Sequence, residues 1–320
     1  MNLALIGYGS VGKAFARLLH KKQSQYPFRI VAIQTARHGA AYHPHGLPID
    51  PPWGPPAPSI GEFLDKAQAE VVFEVTTLNP ATGEPALSHI RAAFARGLHV
   101  VTANKGPIAH AYEDLRSEAL RAGVQLRFES IVMDGAPVFN LVRETLPGVR
   151  ILGFHGVLNS TTNIVLEAME QGQSLEDGIR LAQKIGVAEA DAAFDIDGWD
   201  AAAKTAALAN VLMNARTNPL LVDTKGIRRL TPEKLAELKP KGKTIRLVSR
   251  AHQGKEALKM RVRAEVLDLT EPLALARGTS NLLRIETDLM GTLGILESDP
   301  GVEQTAYGLF SDLVDIARAI

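Results

Sequence analysis

The chain has 320 residues, which corresponds to about two domains at roughly 150 residues per domain. Hydrophobic residues make up 46% of it and charged residues 22%, a composition that excludes a disordered or collagen-like chain. The 35 Lys and Arg residues balance the 35 Asp and Glu residues, so the net charge does not favour nucleic acid as a partner. Cysteine is absent, which excludes disulfides, thiolate-bound metals and thiol nucleophiles.

The location of the protein is predicted from the same composition. No apolar run approaches the roughly 20 residues needed to span a bilayer. The N-terminal segment lacks the basic lead of a signal peptide. We therefore expect a soluble, cytoplasmic protein with no membrane or nucleic-acid partner.

Short apolar runs alternate with helical patterns over the first 148 residues. The predicted strands are residues 3–6, 29–33, 71–75 and 99–101, and the predicted helices are residues 11–19, 60–68, 85–96 and 112–122. This alternation is typical of a parallel sheet with helices on both faces. We therefore expect an α/β class, with a Rossmann-like, doubly wound dinucleotide-binding domain over residues 1–148.

A proline-rich segment interrupts this pattern. Seven of the 18 prolines fall between Pro44 and Pro58, around Trp53. Because proline sustains neither a helix nor a central strand, the segment is predicted to be a loop. We interpret it as a stiffened surface loop, with a lid beside a bound cofactor as the alternative.

Beyond residue 148, strands and helices mix without strict alternation. The predicted strands are residues 150–158, 244–251, 258–267 and 281–287, and the predicted helices are residues 164–171, 175–185, 200–215 and 304–320. This mixture favours an α+β substrate-binding and dimerisation domain over residues 149–303. We expect the last helix, residues 304–320, to pack back on the first domain.

Residues 7–12 fit the pattern G-x-G-x-x-G, directly after a predicted strand and at the start of a helix. In this context Gly7 allows a tight turn, Gly9 lets the backbone approach a pyrophosphate, and Gly12 lets the helix pack on the strand. The free N–H groups at the helix N-terminus, including Ser10 and Val11, bind the phosphates. We therefore predict a dinucleotide site, with an unliganded turn as the alternative.

The residues after the second strand predict which dinucleotide binds. An NAD site usually has an acidic residue about 20 positions after the glycine turn, where it holds the ribose 2′-OH. Here Arg37 follows the second strand, and the first acidic residue of the chain is Asp50. A guanidinium suits a 2′-phosphate. We predict that NADP is preferred over NAD; a solvated loop charge is the alternative for Arg37.

Two lysines are candidates for chemistry. Lys105 follows the fourth strand, at the sheet edge where parallel sheets carry their sites, although an ordinary loop lysine would fit there too. Lys204 follows Asp200 at the i,i+4 spacing of one helix face. The helix around them is rich in alanine, which indicates burial rather than a surface salt bridge, and a buried charged pair favours acid–base chemistry.

These segments together resemble homoserine dehydrogenases over nearly the whole chain. Residues 189–204 are similar to a family signature that runs from acid-Pro-Asp-Pro through Asp-x-x-Gly-x-Asp to a lysine. Residues 102–106 resemble the family's T-x-N-K segment, residues 158–163 its N-G-T-T-N segment, and residues 305–313 its closing helix. The chain departs from the pattern where Ala190 and Ala193 replace two prolines and where Ser160 replaces a glycine.

The resemblance implies the reversible reduction of L-aspartate 4-semialdehyde to L-homoserine, by hydride transfer from a nicotinamide cofactor, in threonine and methionine biosynthesis. It also implies a homodimer built on the second domain. Since the chain stops after the closing helix, we expect a short form without a C-terminal regulatory domain or a fused aspartokinase.

The resemblance also implies roles for individual residues. Lys204 is implied as the general acid–base, and Lys105 as a group that assists it or shares the role. The implied substrate contacts are Glu189, Asp195, Asp200, Ser160 and Thr161. The implied cofactor contacts, besides the glycine turn, Arg37 and Lys105, are Thr76, Thr77 and Asn104. A monovalent cation such as sodium is implied on Glu129, Val132, Asp134 and Ala136, largely through backbone carbonyls.

Other functions remain to be weighed against this one. Aspartate-semialdehyde dehydrogenase acts on the same aldehyde but needs a cysteine nucleophile, which this chain lacks. A related amino-acid dehydrogenase is a second alternative, and residues 189–204 argue against it. A non-catalytic NADP-binding sensor of the same fold is a third, and the pair Lys105 and Lys204 argues against it.

Overall fold

The computed structural model describes residues 1–254 and 256–320. The chain divides into two compact units, of which the first comprises residues 1–140 and 301–320 and the second residues 141–300. The division lies at residues 140 and 141, whereas the sequence pattern places it at residue 148. Among the described residues, every helix is too short or too polar to cross a bilayer.

The helices of both units are numbered together along the chain. They are α1 (Ser10–Lys22), α2 (Ile60–Ala67), α3 (Ala86–Phe94), α4 (Lys105–Ala122), α5 (Val138–Thr145), α6 (Ser160–Glu170), α7 (Leu175–Lys184), α8 (Ala193–Ile196), α9 (Trp199–Leu212), α10 (Pro232–Ala236) and α11 (Val302–Ala319).

A six-stranded sheet forms the centre of the first unit. Its strands are β1 (Asn2–Ile6), β2 (Arg29–Thr35), β3 (Gly39–Tyr42), β4 (Val71–Glu74), β5 (His99–Thr102) and β6 (Leu126–Arg127). The order is β3-β2-β1-β4-β5-β6, and all pairs are parallel except β2 with β3. The predicted Rossmann-like α/β class is confirmed, with one correction: the edge strand β3 is antiparallel.

The core of the first unit contains side chains from the sheet and from α1 and α11. Phe15 of α1 lies against Phe73 of β4, with ring centroids 4.4 Å apart, and Leu3 is buried beside them. Leu309 and Leu313 of α11 belong to the same core. Burial of each such side chain contributes about 1.5–3 kcal/mol. This packing fixes the N-terminus of α1 at the carboxyl end of β1.

Helix α4 begins earlier than the pattern predicts, at Lys105 instead of residue 112. The Asn104 side chain caps it by accepting a hydrogen bond from the Gly106 backbone N–H at 3.0 Å. Gly106 and Pro107 are poor helix formers, so the sequence pattern does not indicate a helix there. Proline is nevertheless tolerated in the first helical turn, because an N–H at that position would have no partner within the helix. The early start places Lys105 on a helix N-terminus rather than in a loop.

The second unit is built on a six-stranded, mostly antiparallel sheet. Its strands are β7 (Ile151–Val157), β8 (Asp223–Thr224), β9 (Lys243–Gln253), β10 (Leu258–Asp268), β11 (Asn281–Thr287) and β12 (Thr292–Glu297). The order is β12-β11-β7-β9-β10-β8, and only β8 and β10 pair in parallel. This is the predicted α+β arrangement, with β8 and β12 as edge strands that the sequence pattern does not predict.

Helix α9 is buried on most of its faces, as its alanine-rich sequence indicates. Its small side chains allow close packing on β9 and β10. Gly198 precedes the helix with a φ of +88°, and a Cβ there would lie 3.0 Å from the Thr224 side chain. Glycine is therefore required at this position by both conformation and space. The result is a fixed start for the helix that carries Asp200 and Lys204.

Candidate active site

The glycine turn has the geometry that a pyrophosphate needs. Gly7 has a φ of +98°, and a Cβ there would lie 2.6 Å from the Val75 carbonyl oxygen. A Cβ at Gly12 would lie 3.3 Å from the Gly7 carbonyl oxygen, so helix and strand pack closely. At Gly9, by contrast, an added Cβ would meet nothing within 4 Å. The open side of the turn is therefore where the backbone can be approached by a ligand.

Helix α1 presents unsatisfied N–H groups at this turn. Gly9 occupies the N-cap position, where no side chain caps the helix, and the first turn contains no acidic residue. The backbone N–H groups of Ser10 and Val11 thus remain available for phosphate oxygens, and the helix dipole favours negative charge there. These features fit the phosphates of a dinucleotide.

The predicted residues at the ends of β4 and β5 are joined by one side chain. The Asn104 amide donates to the carbonyl oxygens of Thr76 and Thr77 at 3.2 Å and 3.3 Å. The same side chain caps α4, whose first residue is the half-buried Lys105. The structure therefore brings Thr76, Thr77, Asn104 and Lys105 together at the carboxyl edge of the sheet.

Sequence analysis missed a carboxylate beneath this group. Glu74, at the end of β4, is fully buried and accepts a hydrogen bond from the Thr76 hydroxyl. Its carboxylate also lies 3.3 Å from His89 Nδ1. A glutamate at the end of an apolar strand run was the available signal, since a buried acid requires partners.

Arg37 lies in the turn between β2 and β3, at the carboxyl end of β2. Its side chain is exposed and makes no ion pair with any residue in the described part of the chain. The turn itself is ordered by the His38 backbone N–H, which donates to the Thr35 hydroxyl at 2.8 Å. The guanidinium is therefore accessible to an anionic ligand.

The acid and lysine residues of the second unit meet at a side chain that sequence analysis did not single out. The Asn159 amide donates to Asp195 at 2.7 Å and to Asp200 at 2.9 Å. Its carbonyl oxygen accepts from the Thr162 backbone N–H at 2.8 Å and so caps α6. An asparagine between a strand and a helix is a typical N-cap, and that was the signal for it.

Lys204 completes this cluster. Its ammonium lies 3.3 Å from the Asp200 carboxylate, and both side chains are largely buried, with exposed fractions of 15% and 14%. It also donates to the Leu158 carbonyl oxygen at 2.6 Å. The predicted i,i+4 pair is thus held against the end of β7. Asp200 thus contacts both the Lys204 ammonium and the Asn159 amide, and Asn159 links it to Asp195.

Burial raises the pKa of Asp195 above its ordinary value, and the charge of Asp200 raises it further. Hydrogen bonds from Asn159 and Thr161, together with the charge of Lys204, act in the opposite direction without cancelling the rise. Ionised Asp195 is therefore costly in the folded state. This cost is present above the folded-state pKa and disappears as the pH falls through it.

Asp195→Asn should consequently raise the Tm at neutral pH, because the substitution removes a costly buried charge and keeps an acceptor for Asn159. The gain should shrink as the pH is lowered and Asp195 of the parent protein becomes protonated. Thermal unfolding followed by circular dichroism over a pH series measures it. Asp197→Asn is the control and should lower the Tm at neutral pH, because a hydrogen bond from Arg228 stabilises ionised Asp197 and lowers its pKa. A parent Tm above that of Asp195→Asn at neutral pH would contradict the assignment.

The other predicted substrate residues are placed differently. Thr161 is buried and bonds to Asp195. Ser160 begins α6 and donates its hydroxyl to the Thr279 carbonyl oxygen at 2.9 Å. Glu189 is exposed, and its carboxylate makes no hydrogen bond or ion pair within residues 1–254 and 256–320. The structure does not bring Glu189 into the cluster of Asn159, Asp195, Asp200 and Lys204.

The segment predicted to bind a cation forms a compact turn after β6. Glu129 accepts hydrogen bonds from the Phe139 and Asn140 backbone N–H groups at 2.7 Å and 2.8 Å. Asp134 accepts from the Thr305 hydroxyl at 2.8 Å. These two carboxylates thus hold α5 and α11. Cation binding by Glu129, Val132, Asp134 and Ala136 stays a prediction.

Comparisons with known proteins agree with these features. A family model described as homoserine dehydrogenase matches residues 137–314, and one described as its NAD binding domain matches residues 7–129. Homoserine dehydrogenase of Methanocaldococcus jannaschii is 36% identical, over 99% of this chain and 98% of that protein. NAD(+)-dependent homoserine dehydrogenase of Pseudomonas canavaninivorans is 32% identical, over 99% and 96%.

A solved structure resembles the whole chain. It is that of a hyperthermophilic archaeal homoserine dehydrogenase in complex with NADPH, with 27% identity and a TM-score of 0.84, over 100% of this chain and 98% of that one. Since both family models and full-length relatives match, the chain belongs to the homoserine dehydrogenase family of NAD(P)-dependent oxidoreductases.

Proposed function

We propose that this protein catalyses the reversible reduction of L-aspartate 4-semialdehyde to L-homoserine, and that Lys204 is its general acid–base. The proposal rests above all on one observation, the Lys204 ammonium 3.3 Å from Asp200 in a cluster bridged by Asn159. The substrate carries both an aldehyde and an ammonium group. The cluster offers a proton donor for the aldehyde oxygen and two carboxylates for the ammonium group.

Each residue of the cluster has a role in this proposal. During reduction Lys204 Nζ stabilises the developing alkoxide by its charge and gives it a proton, and during oxidation the neutral amine accepts the hydroxyl proton. Asp200 holds the lysine, and Asp195 with Asp200 attracts the ammonium group of the substrate. Nicotinamide, when bound, supplies or accepts the hydride. Glu189 is a further, more exposed candidate for the substrate ammonium.

The residues of the first unit serve the cofactor in this proposal. The glycine turn with Ser10 and Val11 binds the pyrophosphate through backbone N–H groups. Thr76, Thr77 and Asn104 orient the nicotinamide end, and Lys105 assists the proton transfer. We also propose a homodimer built on the second unit, a cytoplasmic location, and an activating monovalent cation at residues 129–136.

The NADP preference is a separate proposal, because a relative is named NAD(+)-dependent. Arg37→Gln should lower the ratio of kcat/KM for NADP to kcat/KM for NAD by about tenfold or more, the effect of losing a charge-assisted hydrogen bond to a 2′-phosphate. Initial rates with each cofactor at fixed homoserine measure the ratio. Arg29→Gln is the control, since Arg29 is exposed at the opposite end of the same strand. An unchanged ratio in Arg37→Gln would remove this residue from cofactor selection.

The function itself is tested by the initial rate of absorbance change at the reduced-nicotinamide band, with L-homoserine and either NADP or NAD. We expect turnover that favours NADP. Turnover that favours NAD would retain the enzyme and overturn the cofactor preference. A folded protein that binds NADP and turns over homoserine with neither cofactor would overturn the proposed activity.

A further inference from the structure

The proline-rich loop is fastened to the β2–β3 hairpin and is not a free lid. Ala40 and Gly54 exchange two backbone hydrogen bonds, of 3.3 Å and 2.8 Å. A Cβ at Gly39, whose φ is +83°, would lie 2.2 Å from the Gly54 carbonyl oxygen. Further along, the Ala57 backbone N–H donates to the Gln34 side chain at 3.2 Å. The loop is therefore held in one position along β2 and β3.

This loop places Trp53 beside two other rings. Its ring centroid lies 5.3 Å from that of His38, with the two planes inclined by only 30°. It lies 6.0 Å from the ring of Tyr8, edge to face. Tyr8 is itself buried within the glycine turn, and its hydroxyl donates to the Ile49 carbonyl oxygen at 2.7 Å. Trp53 is thus tied to the glycine turn on one side and to the residue after Arg37 on the other.

Trp53 nevertheless leaves 36% of its surface exposed, and His38 is exposed beside it. The exposed parts of the indole and of the His38 ring packed against it offer aromatic surface that neighbouring contacts already hold in place, so a ligand that binds there costs little ordering entropy. It stands at the carboxyl end of β2, next to the turn that approaches a pyrophosphate. In dinucleotide-binding sheets the adenosine half of the ligand lies in this region. A base of any identity can stack on an aromatic side chain, because every base has a flat π-face.

We propose that Trp53, with His38 beside it, is the platform on which the adenine ring of the cofactor stacks. This inference rests on one part of the proposed function, the binding of a dinucleotide cofactor, and not on the reaction itself. Adenine is common to NAD and NADP, whereas the 2′-phosphate is not. Trp53 therefore sets the affinity for both cofactors, and Arg37 selects between them. The proline-rich loop then lines the adenosine site and keeps one position whether or not the cofactor is bound.

Adenosine 5′-monophosphate and adenosine 2′,5′-bisphosphate test this placement, because they contain the adenosine half and no nicotinamide. The chain has 2 tryptophans, so Trp199→Phe reports on Trp53 alone and Trp53→Phe on Trp199 alone. Both probes should quench the emission of Trp53 at saturation. The emission of Trp199 should not change. Quenching of Trp199 but not of Trp53 would overturn the proposal.

Binding measured by titration calorimetry separates Trp53 from Arg37. Trp53→Ala should weaken both probes by about tenfold, as expected for a lost base–aromatic stack, and Trp53→Phe should retain most of the affinity. Arg37→Gln should weaken only the bisphosphate. Equal affinity of both probes for Trp53→Ala and the parent protein would overturn the proposal. Quenching and weakened binding without turnover of homoserine would instead leave this inference standing and refute the proposed activity.

Discussion

Lys204→Met should lower kcat for homoserine oxidation by at least about a hundredfold, the low end for the loss of a general acid–base group. Methionine keeps the length and apolar stem of the side chain. It removes the amine that lies 3.3 Å from Asp200 and 2.6 Å from the Leu158 carbonyl oxygen. In the proposed mechanism the amine acts on the reacting oxygen and the cofactor phosphates are assigned to the glycine turn, so the loss should appear in kcat more than in the KM for the cofactor.

The matched control is Lys184→Met. Lys184 is exposed in the last turn of α7, in the same unit, and has no role in the proposed mechanism, so its removal should leave kcat within the error of the assay. Circular dichroism and binding of adenosine 2′,5′-bisphosphate show whether each variant is folded. A folded Lys204→Met protein with nearly normal kcat would exclude Lys204 as the proton donor and leave Lys105 as the candidate.

The central elements of both units could be predicted from sequence because their patterns are local. The apolar runs of β1, β4 and β5 and the turn at Gly7–Gly12 each combine a buried strand with the residues that end it. The predicted helix over residues 175–185 agrees with α7 to within one residue, and in the structure Ser174 and Asp177 form a capping box at its start. In these places local propensity and tertiary packing agree.

The helix starts at Asn104 and Asn159 could not be predicted so well. Each helix begins with residues that disfavour helix in isolation, Gly106 and Pro107 in α4 and a Thr pair in α6, and is stabilised by the capping side chain. The edge strands β3 and β12 are missed for a related reason. They are short or half exposed, and pairing with their neighbours supplies the stability that their own residues lack.

The residue types of the candidate site could be predicted from sequence, but the hydrogen bonds that join these residues could not. The spacing of Asp200 and Lys204 along a helix follows from geometry alone, and the structure confirms that they are close. The bridge from Asn159 to Asp195 and Asp200 spans 36 and 41 positions of sequence. The same holds for Glu74 and His89, which support Thr76. Contacts of this kind depend on how β7, α6 and α9 pack, which no local pattern contains.

Asn159→Ala should reduce the free energy of unfolding by about 2–4 kcal/mol, since it removes a helix cap and two hydrogen bonds to carboxylates. Asp195 and Asp200 would then face each other without the amide between them, and the KM for homoserine should rise. Urea unfolding and initial rates measure the two effects. The loss arises from one side chain that acts on β7, α6 and the acids together.

Two further variants separate the cap from the bridge. Asn218→Ala removes an asparagine cap from the short 3₁₀ turn Pro219–Leu221, where Asn218 accepts from the Leu220 backbone N–H at 3.0 Å, and should cost only about 1 kcal/mol. Asn159→Asp keeps a capping oxygen but sets a third carboxylate against Asp195 and Asp200, so it should lose activity and raise the pH at which the cluster ionises. If Asn159→Ala cost no more than Asn218→Ala and left the KM unchanged, Asn159 would be a cap alone. The two acids would then be held by Lys204 and Thr161, and the cluster would not depend on its amide.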